Sequence, residues 1–371
     1  MANEADVLEA LDHVAGPVGG SLKASGAVSG VNVSGDKAFV SLAGDPAKAE
    51  LWEEIRKAAE AAVAKLPGIA RAIVTLTADA KAAPAGHSHG HGSGQAAGGG
   101  VQRRPLPALD KIRFIVAVAS GKGGVGKSTT SANLALGLAA QGWRVGLLDA
   151  DIYGPSAHRL FGLSQKPEVL DGKLVPPEAF GVKVMSIGFL VDEETPMVWR
   201  GPMVGQALTQ LLGEVVWGEL DALVVDMPPG TGDVQLTMVQ QTSLAGAVIV
   251  STPQDLALID ARRAVSMFQK VEAPILGVIE NMSYFLCPHC GGRSEIFAHG
   301  GARHDAEKLG VPFLGEVPLD LKVREGSDAG RPVTAVDPHS PQAAVYLNLA
   351  AKVKTLLETS ARKEPPKIVV G

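Results

Sequence analysis

Cysteine and aromatic residues are scarce in this sequence. Among its 371 residues there are two cysteines, and Phe, Trp and Tyr together make up 4% of the chain. Two cysteines cannot build the disulfide framework that stabilises small secreted domains. Apolar side chains nevertheless account for 46% of the residues, which is enough for a chain of this length to bury an ordinary α/β core.

The sequence has neither an excess of positive charge nor a long apolar run. Its 34 basic and 39 acidic side chains give a net charge of -5, which argues against binding to nucleic acid through bulk electrostatics. Apolar runs such as 114–119 fall far below the ~20 residues of a membrane-spanning helix. The first residues are acidic and lack the basic-then-apolar order of a signal peptide. We therefore expect a cytoplasmic protein with no nucleic-acid or membrane partner.

Changes in composition divide the sequence into three parts. Residues 1–80 show short strand and helix patterns that are typical of a small α+β domain. Residues 81–108 are dominated by Gly, Ala, Ser and Pro and indicate a flexible linker. Residues 109–371 return to a globular composition and contain all the motifs that suggest chemistry, so we predict the functional domain there.

The linker contains three histidines in alternation. His87, His89 and His91 form a His-x-His-x-His tract, a pattern that can bind a transition metal. The simpler interpretation is a solvated linker whose histidines hold no ligand, and this is the one we favour.

Strand and helix patterns alternate along the C-terminal part. The strand candidates are short, rich in Val and Ile and mostly apolar, which is typical of strands covered on both faces. They are predicted at 112–119, 145–149, 182–187, 222–226, 247–251, 275–279 and 312–315. Helix patterns such as 128–141 fall between them. The prediction is an α/β fold with a doubly wound, mostly parallel sheet, preceded by the small α+β domain.

A phosphate-binding loop follows the first of these strands. The sequence SGKGGVGKST at 120–129 satisfies the G-x-x-x-x-G-K-S pattern, and it lies directly between a strand and a helix, as this motif requires. Glycines let backbone N–H groups converge on phosphate oxygens, Lys127 adds a positive charge, and Ser128 offers a hydroxyl to Mg²⁺. The residues expected to bind the nucleotide here are Gly121, Lys122, Gly123, Gly124, Val125, Gly126, Lys127, Ser128 and Thr129.

Carboxylates follow two further strands of the predicted sheet. Asp151 comes just after the strand at 145–149, and Asp226 ends the strand at 222–226. Because the carboxyl ends of parallel strands face the ligand, both side chains should lie near the phosphates. Asp226 has the place of a Walker B carboxylate beside Mg²⁺, and Asp151 is suited to hold Mg²⁺ or to orient water. Gly230 would let a switch II segment move toward a γ-phosphate.

The second lysine of the loop, in KGGVGK, gives the sequence a resemblance to the deviant Walker A ATPases. That class includes the nitrogenase iron protein and the septum-site and partitioning ATPases. The resemblance implies a nucleotide-sandwich homodimer in which Lys122 reaches the nucleotide of the partner subunit. It also assigns Asp151 to switch I and the amide of Asn281 to the adenine base. Lys122, Lys127 and Asp151 are then the expected catalytic residues.

Both cysteines lie in one short segment, Cys287-Pro-His-Cys290-Gly-Gly. Such a close pair in a long chain indicates two thiolates directed at one ion or cluster. Four interpretations are open: a buried structural pair, a dithiol redox motif, a zinc site completed by His299 and His304, and an iron–sulfur cluster. A [4Fe–4S] cluster needs four thiolates, and a two-fold dimer would solve the shortage with two from each subunit.

Several motifs in a fixed order give the sequence a second resemblance, to a narrower family. GKGGVGKST, DADIYGPS, WRGPM, DMPPGTGD and ENMSYFLCPHCG occur in this order, and most of the chain resembles the Mrp/ApbC iron–sulfur carrier family of P-loop ATPases. The resemblance implies an ATP hydrolase with ATP and Mg²⁺ as cofactors. It implies a homodimer that holds a [4Fe–4S] cluster at Cys287 and Cys290 and transfers it to apo iron–sulfur clients, working with assembly factors. Residues 1–80 resemble a small domain of iron–sulfur assembly factors.

Two other functions compete with the carrier. A spatial-positioning ATPase acting on membrane or DNA should have a basic amphipathic tail, and the segment 363–371 has two lysines but no such helix pattern. A zinc-stabilised nucleotide switch would hold one zinc ion per chain, whereas the carrier would hold about four iron and four sulfide ions per dimer. No residue resembles a dedicated strong base, which predicts slow intrinsic hydrolysis.

Overall fold

The three-dimensional description comes from a computed structural model of the chain. It describes residues 3–17, 19–34, 37–44, 49–69, 71–78, 107–190 and 201–361. These residues form two compact units, within 1–98 and within 99–371, and each has its own hydrophobic core. The histidine tract at His87, His89 and His91, almost all of the predicted linker, and the tail at 363–371 lie outside the described residues.

The N-terminal unit consists of a three-stranded sheet and two helices. Its elements are α1 (Glu4–Asp12), β1 (Val28–Ser34), β2 (Lys37–Gly44), α2 (Ala49–Val63) and β3 (Arg71–Ala78). β1 and β2 are antiparallel, whereas β2 and β3 are parallel. A capping box starts α1, because the Asn3 side chain accepts hydrogen bonds from the backbone N–H groups of Ala5 and Asp6. Apolar side chains of both helices, including Leu11 and Trp52, fill the core.

The C-terminal unit is built on a nine-stranded sheet. The strands of this unit are β4 (Ile112–Ala119), β5 (Val145–Asp149), β6 (Glu168–Leu170), β7 (Lys173–Val175), β8 (Glu178–Ala179), β9 (Val182–Ser186), β10 (Leu220–Asp226), β11 (Leu244–Ser251), β12 (Ile275–Leu286), β13 (Arg293–Ser294) and β14 (Phe313–Leu319). The helices are α3 (Lys127–Ala140), α4 (Ala157–Leu160), α5 (Gly201–Gly213), α6 (Asp233–Gln241), α7 (Asp255–Lys270), α8 (Gly301–Leu309), α9 (Leu321–Asp328), α10 (Val333–Val336) and α11 (Pro341–Ala361), with a short 3₁₀ helix at Ile187–Phe189.

The strand order of the large sheet confirms the predicted α/β fold. Neighbouring strands run in the order β13-β12-β11-β4-β10-β5-β9-β8, and β14 also pairs with β12. All pairs among the longer strands are parallel, and only the two-residue strands β8 and β13 pair antiparallel to their neighbours in this sheet. The central strands β4, β5 and β10 are almost entirely buried. This arrangement brings the carboxyl ends of several strands to one edge, where ligands bind in such sheets.

Strand β12 extends furthest beyond its sequence pattern, and β11 and β14 are also longer than predicted. The apolar run indicated a strand ending at residue 279, but β12 continues to Leu286. Its second half contains the buried polar residues Glu280, Asn281 and Ser283, which interrupt the apolar run. Asn281 and Ser283 donate hydrogen bonds and Glu280 accepts them within the unit, so the polar groups of these buried side chains are satisfied. None of the helices within the described ranges is both long and apolar enough to cross a membrane.

Candidate nucleotide and cluster sites

The phosphate loop lies between β4 and α3 at the carboxyl edge of the sheet. α3 begins at Lys127, and Gly126 before it adopts a left-handed conformation with φ of +80°. Within the described part of the chain, no side-chain hydrogen bond caps this end of α3. The positive end of the helix dipole is therefore available to an anion, as the sequence motif predicts.

The other loop residues surround this helix start. Val125 is buried, Gly123 and Gly124 are exposed, and Ser128 and Thr129 are half-buried at the beginning of α3. Gly121 touches the backbone of Asp260 in α7 so closely that a Cβ at residue 121 would overlap it. Lys122 is half-exposed, and its carbonyl oxygen accepts a hydrogen bond from the Ser120 hydroxyl at 2.9 Å. Both ends of the loop are therefore packed against the rest of the unit, whereas Gly123 and Gly124 in its middle are exposed to solvent.

The side chain of Lys127 is buried among carboxylates. Its Nζ lies 2.8 Å from Asp226 Oδ1 and 3.6 Å from Asp151 Oδ2, and it is also 3.2 Å from Ser128 Oγ. Burial by itself lowers the pKa of Lys127, but the attraction of Asp226 and then Asp151 outweighs it, so the pKa is raised. The structure thus brings together a protonated lysine and both predicted carboxylates at the foot of the phosphate loop.

Only one of the two carboxylate oxygens of Asp226 accepts a hydrogen bond from the described residues. Oδ1 accepts a hydrogen bond from Ser131 Oγ at 2.7 Å and contacts Lys127. Oδ2 is buried, and among the described residues no group donates a hydrogen bond to it. A buried carboxylate oxygen without a donor is a suitable ligand for a hard cation, and the Ser128 hydroxyl lies beside Lys127 in the same site. The residues present therefore fit Mg²⁺.

Asp149, at the end of β5, holds the segment that contains Asp151 in place through hydrogen bonds. Its Oδ1 accepts a hydrogen bond from the Asp151 backbone N–H at 3.1 Å. Its Oδ2 accepts from the backbone N–H groups of Ser156 and Ala157, at 2.8 and 2.9 Å, and from the Ser186 hydroxyl at 3.1 Å. Asp149 thus fixes both ends of the loop from 150 to 156, which agrees with the structural role that its place at the end of a strand, two residues before Asp151, suggested.

The buried carboxylates make stability depend on pH. Burial, followed by repulsion from Asp226, raises the pKa of Asp149 to about 7, and burial likewise raises the pKa of Asp151. Between about pH 4 and 7 the folded state then holds protons that the unfolded chain has lost, so the free energy of unfolding should fall with rising pH and level off above about 7. Denaturant titrations across this range measure the effect, and Asp149→Asn should make the decline shallower. Stability that rises across the range would contradict this assignment.

Asn281 connects β12 with the phosphate loop. Its Nδ2 donates a hydrogen bond to the Val125 carbonyl oxygen at 2.8 Å. The amide lies so close to Gly126 that a Cβ at residue 126 would overlap Nδ2. Glycine is therefore required at position 126 for two reasons, the close approach of the Asn281 amide and the positive φ.

Gly126→Ala should damage both the fold and the nucleotide site. We expect the free energy of unfolding to fall by about 2 kcal/mol, because the substitution combines a steric overlap with a left-handed backbone. ATP affinity should weaken at least about tenfold, because the overlap forces either the Asn281 amide away from Val125 and out of the cavity wall or the backbone N–H groups of the loop out of place. Denaturant titration and calorimetry measure the two effects. Gly123→Ala is the control for stability, since an added Cβ there meets nothing within 4 Å, and equal losses in the two variants would contradict the prediction.

A cavity of about 500 Å³ opens beside the phosphate loop. Its wall includes Gly126 and Thr129 from the loop and Asn281, Met282 and Phe285 from β12, and its remaining lining is Pro318, Leu319, Asp320, Leu321, Val323, Arg324, Ser327, Asp328 and Tyr346. The volume and the mainly apolar lining suit a purine nucleoside. Asn281 lies in this wall, where the resemblance to the deviant Walker A class places an amide that contacts adenine. The α9 side of the cavity contains no recognisable sequence motif.

The loop after Asp226 is joined to the phosphate loop. Gly230 has a φ of +97°, and its N–H donates a hydrogen bond to the Ser120 carbonyl oxygen at 2.9 Å. Gln235 Nε2 donates to the carbonyl oxygens of Pro228 and Gly230, at 2.7 and 2.5 Å. Gln235 was not among the predicted site residues, although it holds the predicted switch II loop in its present conformation.

The two cysteines lie in the loop of a short hairpin between β12 and β13. The Cys287 N–H donates to the Gly292 carbonyl oxygen at 2.9 Å, and the Gly291 N–H donates to the Cys287 carbonyl oxygen at 2.8 Å. Cys287 is half-exposed and Cys290 is exposed, and neither forms a disulfide. Hydrogen bonds from the backbone N–H of His289, then from the backbone and thiol of Cys290, lower the pKa of Cys287. A thiol that solvent can reach and whose pKa is lowered is suited to bind a metal.

The histidines proposed for the zinc alternative have other neighbours. His299 Nδ1 lies 3.0 Å from the Ser283 hydroxyl, and the Arg293 guanidinium lies 3.0 Å from its Nε2. His304 belongs to α8. Across the ranges that the structure describes, no three His, Cys, Asp or Glu side chains are grouped as ligands for one metal ion. The structure therefore does not bring His299 or His304 together with the cysteines.

Sequence comparison resolves the relationship of this chain to known proteins. A family profile described as NUBPL iron-transfer P-loop NTPase matches residues 111–354. The chain belongs to this family. A second profile, described as iron-sulfur cluster assembly protein, matches residues 4–76. The predicted resemblance to iron–sulfur carrier ATPases is thus confirmed, and the chain is an iron-transfer P-loop NTPase by family.

Individual relatives agree with this membership. Over 248 residues the chain is 56% identical to an iron-sulfur cluster carrier protein of Pseudomonas fragi, covering 66% of this chain and 86% of that protein. It is 51% identical over 267 residues to the iron-sulfur cluster transfer protein NUBPL of Dictyostelium discoideum, covering 70% and 83% of the two. Both alignments span most of the relative.

Solved structures of similar proteins support the fold. A nucleotide-binding protein of Archaeoglobus fulgidus in complex with ADP superposes with a TM-score of 0.56 at 44% identity, covering 64% of this chain and 93% of that one. The cell division ATPase MinD of Pyrococcus furiosus reaches a TM-score of 0.50 at 21% identity, covering 66% and 99% of the two chains, which supports the P-loop NTPase fold alone.

Proposed function

We propose that the protein is an ATP-dependent carrier that holds a [4Fe–4S] cluster across a homodimer and transfers it to apoproteins. The observation that supports this most strongly is the cysteine pair. Each chain presents two accessible thiols in one hairpin loop, which is half the ligand set of a [4Fe–4S] cluster. A two-fold axis through this loop would complete the set with the same two residues of a second copy.

The cysteine loop suits a cargo that must leave again. The lowered pKa of Cys287 favours the thiolate, which is the form that binds iron. Both cysteines are accessible at a hairpin tip rather than enclosed in the core, so a client can approach the cluster directly. A cluster held between two subunits also loses half its ligands when the subunits separate, which gives a route for release.

Lys127, Ser128 and Asp226 form the nucleotide half of the mechanism. Lys127 binds the β- and γ-phosphates of ATP, which take the place of its present contacts with Asp226 and Asp151. Ser128 and Asp226 hold Mg²⁺, because the hydroxyl and the unpartnered Oδ2 of Asp226 offer oxygen ligands at the foot of the loop. The metal ion neutralises phosphate charge when bound.

Asp151 and Lys122 complete the hydrolytic site. Asp151 orients the attacking water, and Asp149 holds the loop that carries it. Lys122, which is half-exposed in the phosphate loop, reaches across the dimer and stabilises charge on the partner's nucleotide. Since no strong base faces the site among these residues, hydrolysis is slow and sets the timing of cluster loading or release.

The N-terminal unit contacts other proteins of cluster assembly. Its match to an assembly-protein profile over residues 4–76 supports this role. The unit contains no cysteine, so it cannot bind a cluster through thiolates and is suited instead to recognise clients or assembly factors. The carrier acts in the cytoplasm, without nucleic acid or membrane as a partner.

Transfer to a client tests the proposed function. Wild-type protein is reconstituted anaerobically with iron and sulfide and mixed with an apoprotein that requires a [4Fe–4S] cluster, and client activity is followed with and without MgATP. We expect the client to be activated faster than by the same iron and sulfide free in solution. Activation no faster than by the free ions would contradict the carrier, whereas transfer unaffected by ATP would contradict only its nucleotide dependence.

A further inference from the structure

One strand contributes to both the nucleotide cavity and the cysteine loop. Asn281, Met282 and Phe285 of β12 line the cavity beside Gly126. Cys287 follows Phe285 by two positions in the chain. A side chain in contact with a bound nucleoside is therefore separated from a cluster ligand by only one residue, Leu286.

β12 is irregular between these two sites. Asn281 pairs with Val317 of β14 and Phe285 pairs with Leu319, so three residues of β12 lie opposite one residue of β14. Within this bulge Met282 has a φ of +54°, a left-handed conformation that costs free energy for any residue with a Cβ. The backbone is thus strained at the point between the nucleotide cavity and the cysteines.

Buried polar contacts fix the strand before the bulge. Asn281 is attached to the phosphate loop through its hydrogen bond to the Val125 carbonyl oxygen. The fully buried Glu280 carboxylate accepts hydrogen bonds from the backbone N–H groups of Gly300 and Ala302, at 2.9 and 2.7 Å. Glu280 also accepts from the Ser283 hydroxyl at 2.6 Å. The start of the bulge therefore cannot move independently of the phosphate loop and α8.

A different set of contacts stiffens the hairpin after the bulge. Arg293 pairs with Leu286 across the hairpin, and its guanidinium stacks 4.2 Å from the ring centre of Tyr284. The same guanidinium lies 3.0 Å from His299 Nε2. Phe285, in the same segment, forms part of the cavity wall. Because these contacts hold the hairpin together, a displacement of the Phe285 ring would move the hairpin as one unit.

We propose that the Met282 bulge couples the nucleotide cavity to the cysteine pair. With the cavity empty, the strained bulge relaxes part of the time and the hairpin that carries Cys287 and Cys290 moves with it. A nucleoside packed against Met282 and Phe285 holds the bulge and fixes the cysteine loop. Met282 and Phe285 are then positioning residues for the cluster ligands. This coupling rests on the proposed function, because it assumes a nucleotide in this cavity.

Cysteine alkylation in the cluster-free, reduced full-length protein tests the coupling. The two cysteines are the only thiols of the chain, and only Cys287 is partly covered. Iodoacetamide labelling of Cys287, separated from that of Cys290 by peptide mass spectrometry, therefore reports the motion of this loop. In wild type, saturating MgATP should slow labelling about fivefold, which is the size expected from the strain of one left-handed residue. Met282→Gly removes that strain, so its labelling should already be slow without nucleotide and change by less than about twofold.

Met282→Ala is the matched control. It loses the same contacts with the nucleoside as the glycine variant but keeps a Cβ, and hence the strain. Its labelling without nucleotide should therefore be as fast as that of wild type, and MgATP should still slow it at least about threefold through the contact of the nucleoside with Phe285. If MgATP slowed cysteine labelling only because it causes dimer formation, the glycine and alanine variants would be protected equally. Equal responses of these two variants to MgATP would therefore overturn the coupling. Calorimetry with ATP and iron content after reconstitution are measured on the same samples. If wild type binds ATP and takes up iron as expected but MgATP does not change the labelling rate, the coupling is refuted and the carrier function is left intact.

Discussion

Replacing Lys127 by methionine should abolish measurable ATP binding and lower the free energy of unfolding by about 3 kcal/mol near pH 8. Methionine has a similar length but no charge, so the buried carboxylates of Asp226, Asp151 and Asp149 would lose the cation that now compensates them. Calorimetry with ATP and denaturant titration measure the two effects.

The destabilisation of Lys127→Met should shrink toward pH 5. The pKa values of Asp149 and Asp151 are already raised by burial, and without the lysine they should rise further, so protonation would relieve the repulsion. Lys354→Met is the control, because Lys354 is half-buried but its Nζ donates to the Gln141 carbonyl oxygen rather than to a carboxylate. The control should keep ATP binding and lose less than about 1 kcal/mol. ATP binding at wild-type affinity by Lys127→Met would contradict the assigned site.

Replacing Cys287 and Cys290 together by serine should remove the cluster. After anaerobic reconstitution wild type should contain about two iron and two sulfide ions per chain, and the double variant should contain none above background. Each single variant takes two of the four ligands from a dimer and should lose at least about nine-tenths of the iron. ATP affinity should stay near that of wild type, and stability should change by less than about 0.5 kcal/mol, because both side chains are at least partly exposed and form no disulfide.

Histidine variants separate the cluster from the zinc alternative. His299→Gln/His304→Gln should keep its iron, because His299 contacts Ser283 and Arg293 rather than the cysteines. His289→Ala lies within the cysteine loop and serves as a control for disturbance of the loop itself. Metal analysis that found one zinc ion per chain, lost in the double histidine variant, would favour the nucleotide switch over the carrier.

Local motifs made the geometry around the phosphate loop predictable from sequence. The G-x-x-x-x-G-K-S pattern fixes its own strand–loop–helix geometry, so Lys127 and Ser128 could be placed without any long-range information. Asp226 and Asp151 could be placed because parallel strands bring their carboxyl ends to one edge. The structure gathers these residues around Lys127 as expected.

Features that depend on distant parts of the chain escaped prediction. The α9 side of the cavity comes almost 200 residues after the phosphate loop and contains no local pattern. Asp149 holds the segment of Asp151 through hydrogen bonds that only the folded loop reveals. The continuation of β12 to Leu286 was missed because Glu280, Asn281 and Ser283 look unfavourable in a buried strand until their partners are known.

The stoichiometry of cluster to chain tests the central claim most directly. Anaerobic native mass spectrometry of the reconstituted protein measures the mass of the assembly and of its bound inorganic core together. The bridging carrier predicts a dimer with one [4Fe–4S] cluster per two chains, and a monomer once the cluster is removed in the absence of ATP. A cluster or a metal ion bound by a single chain, in a particle with the mass of a monomer, would contradict it.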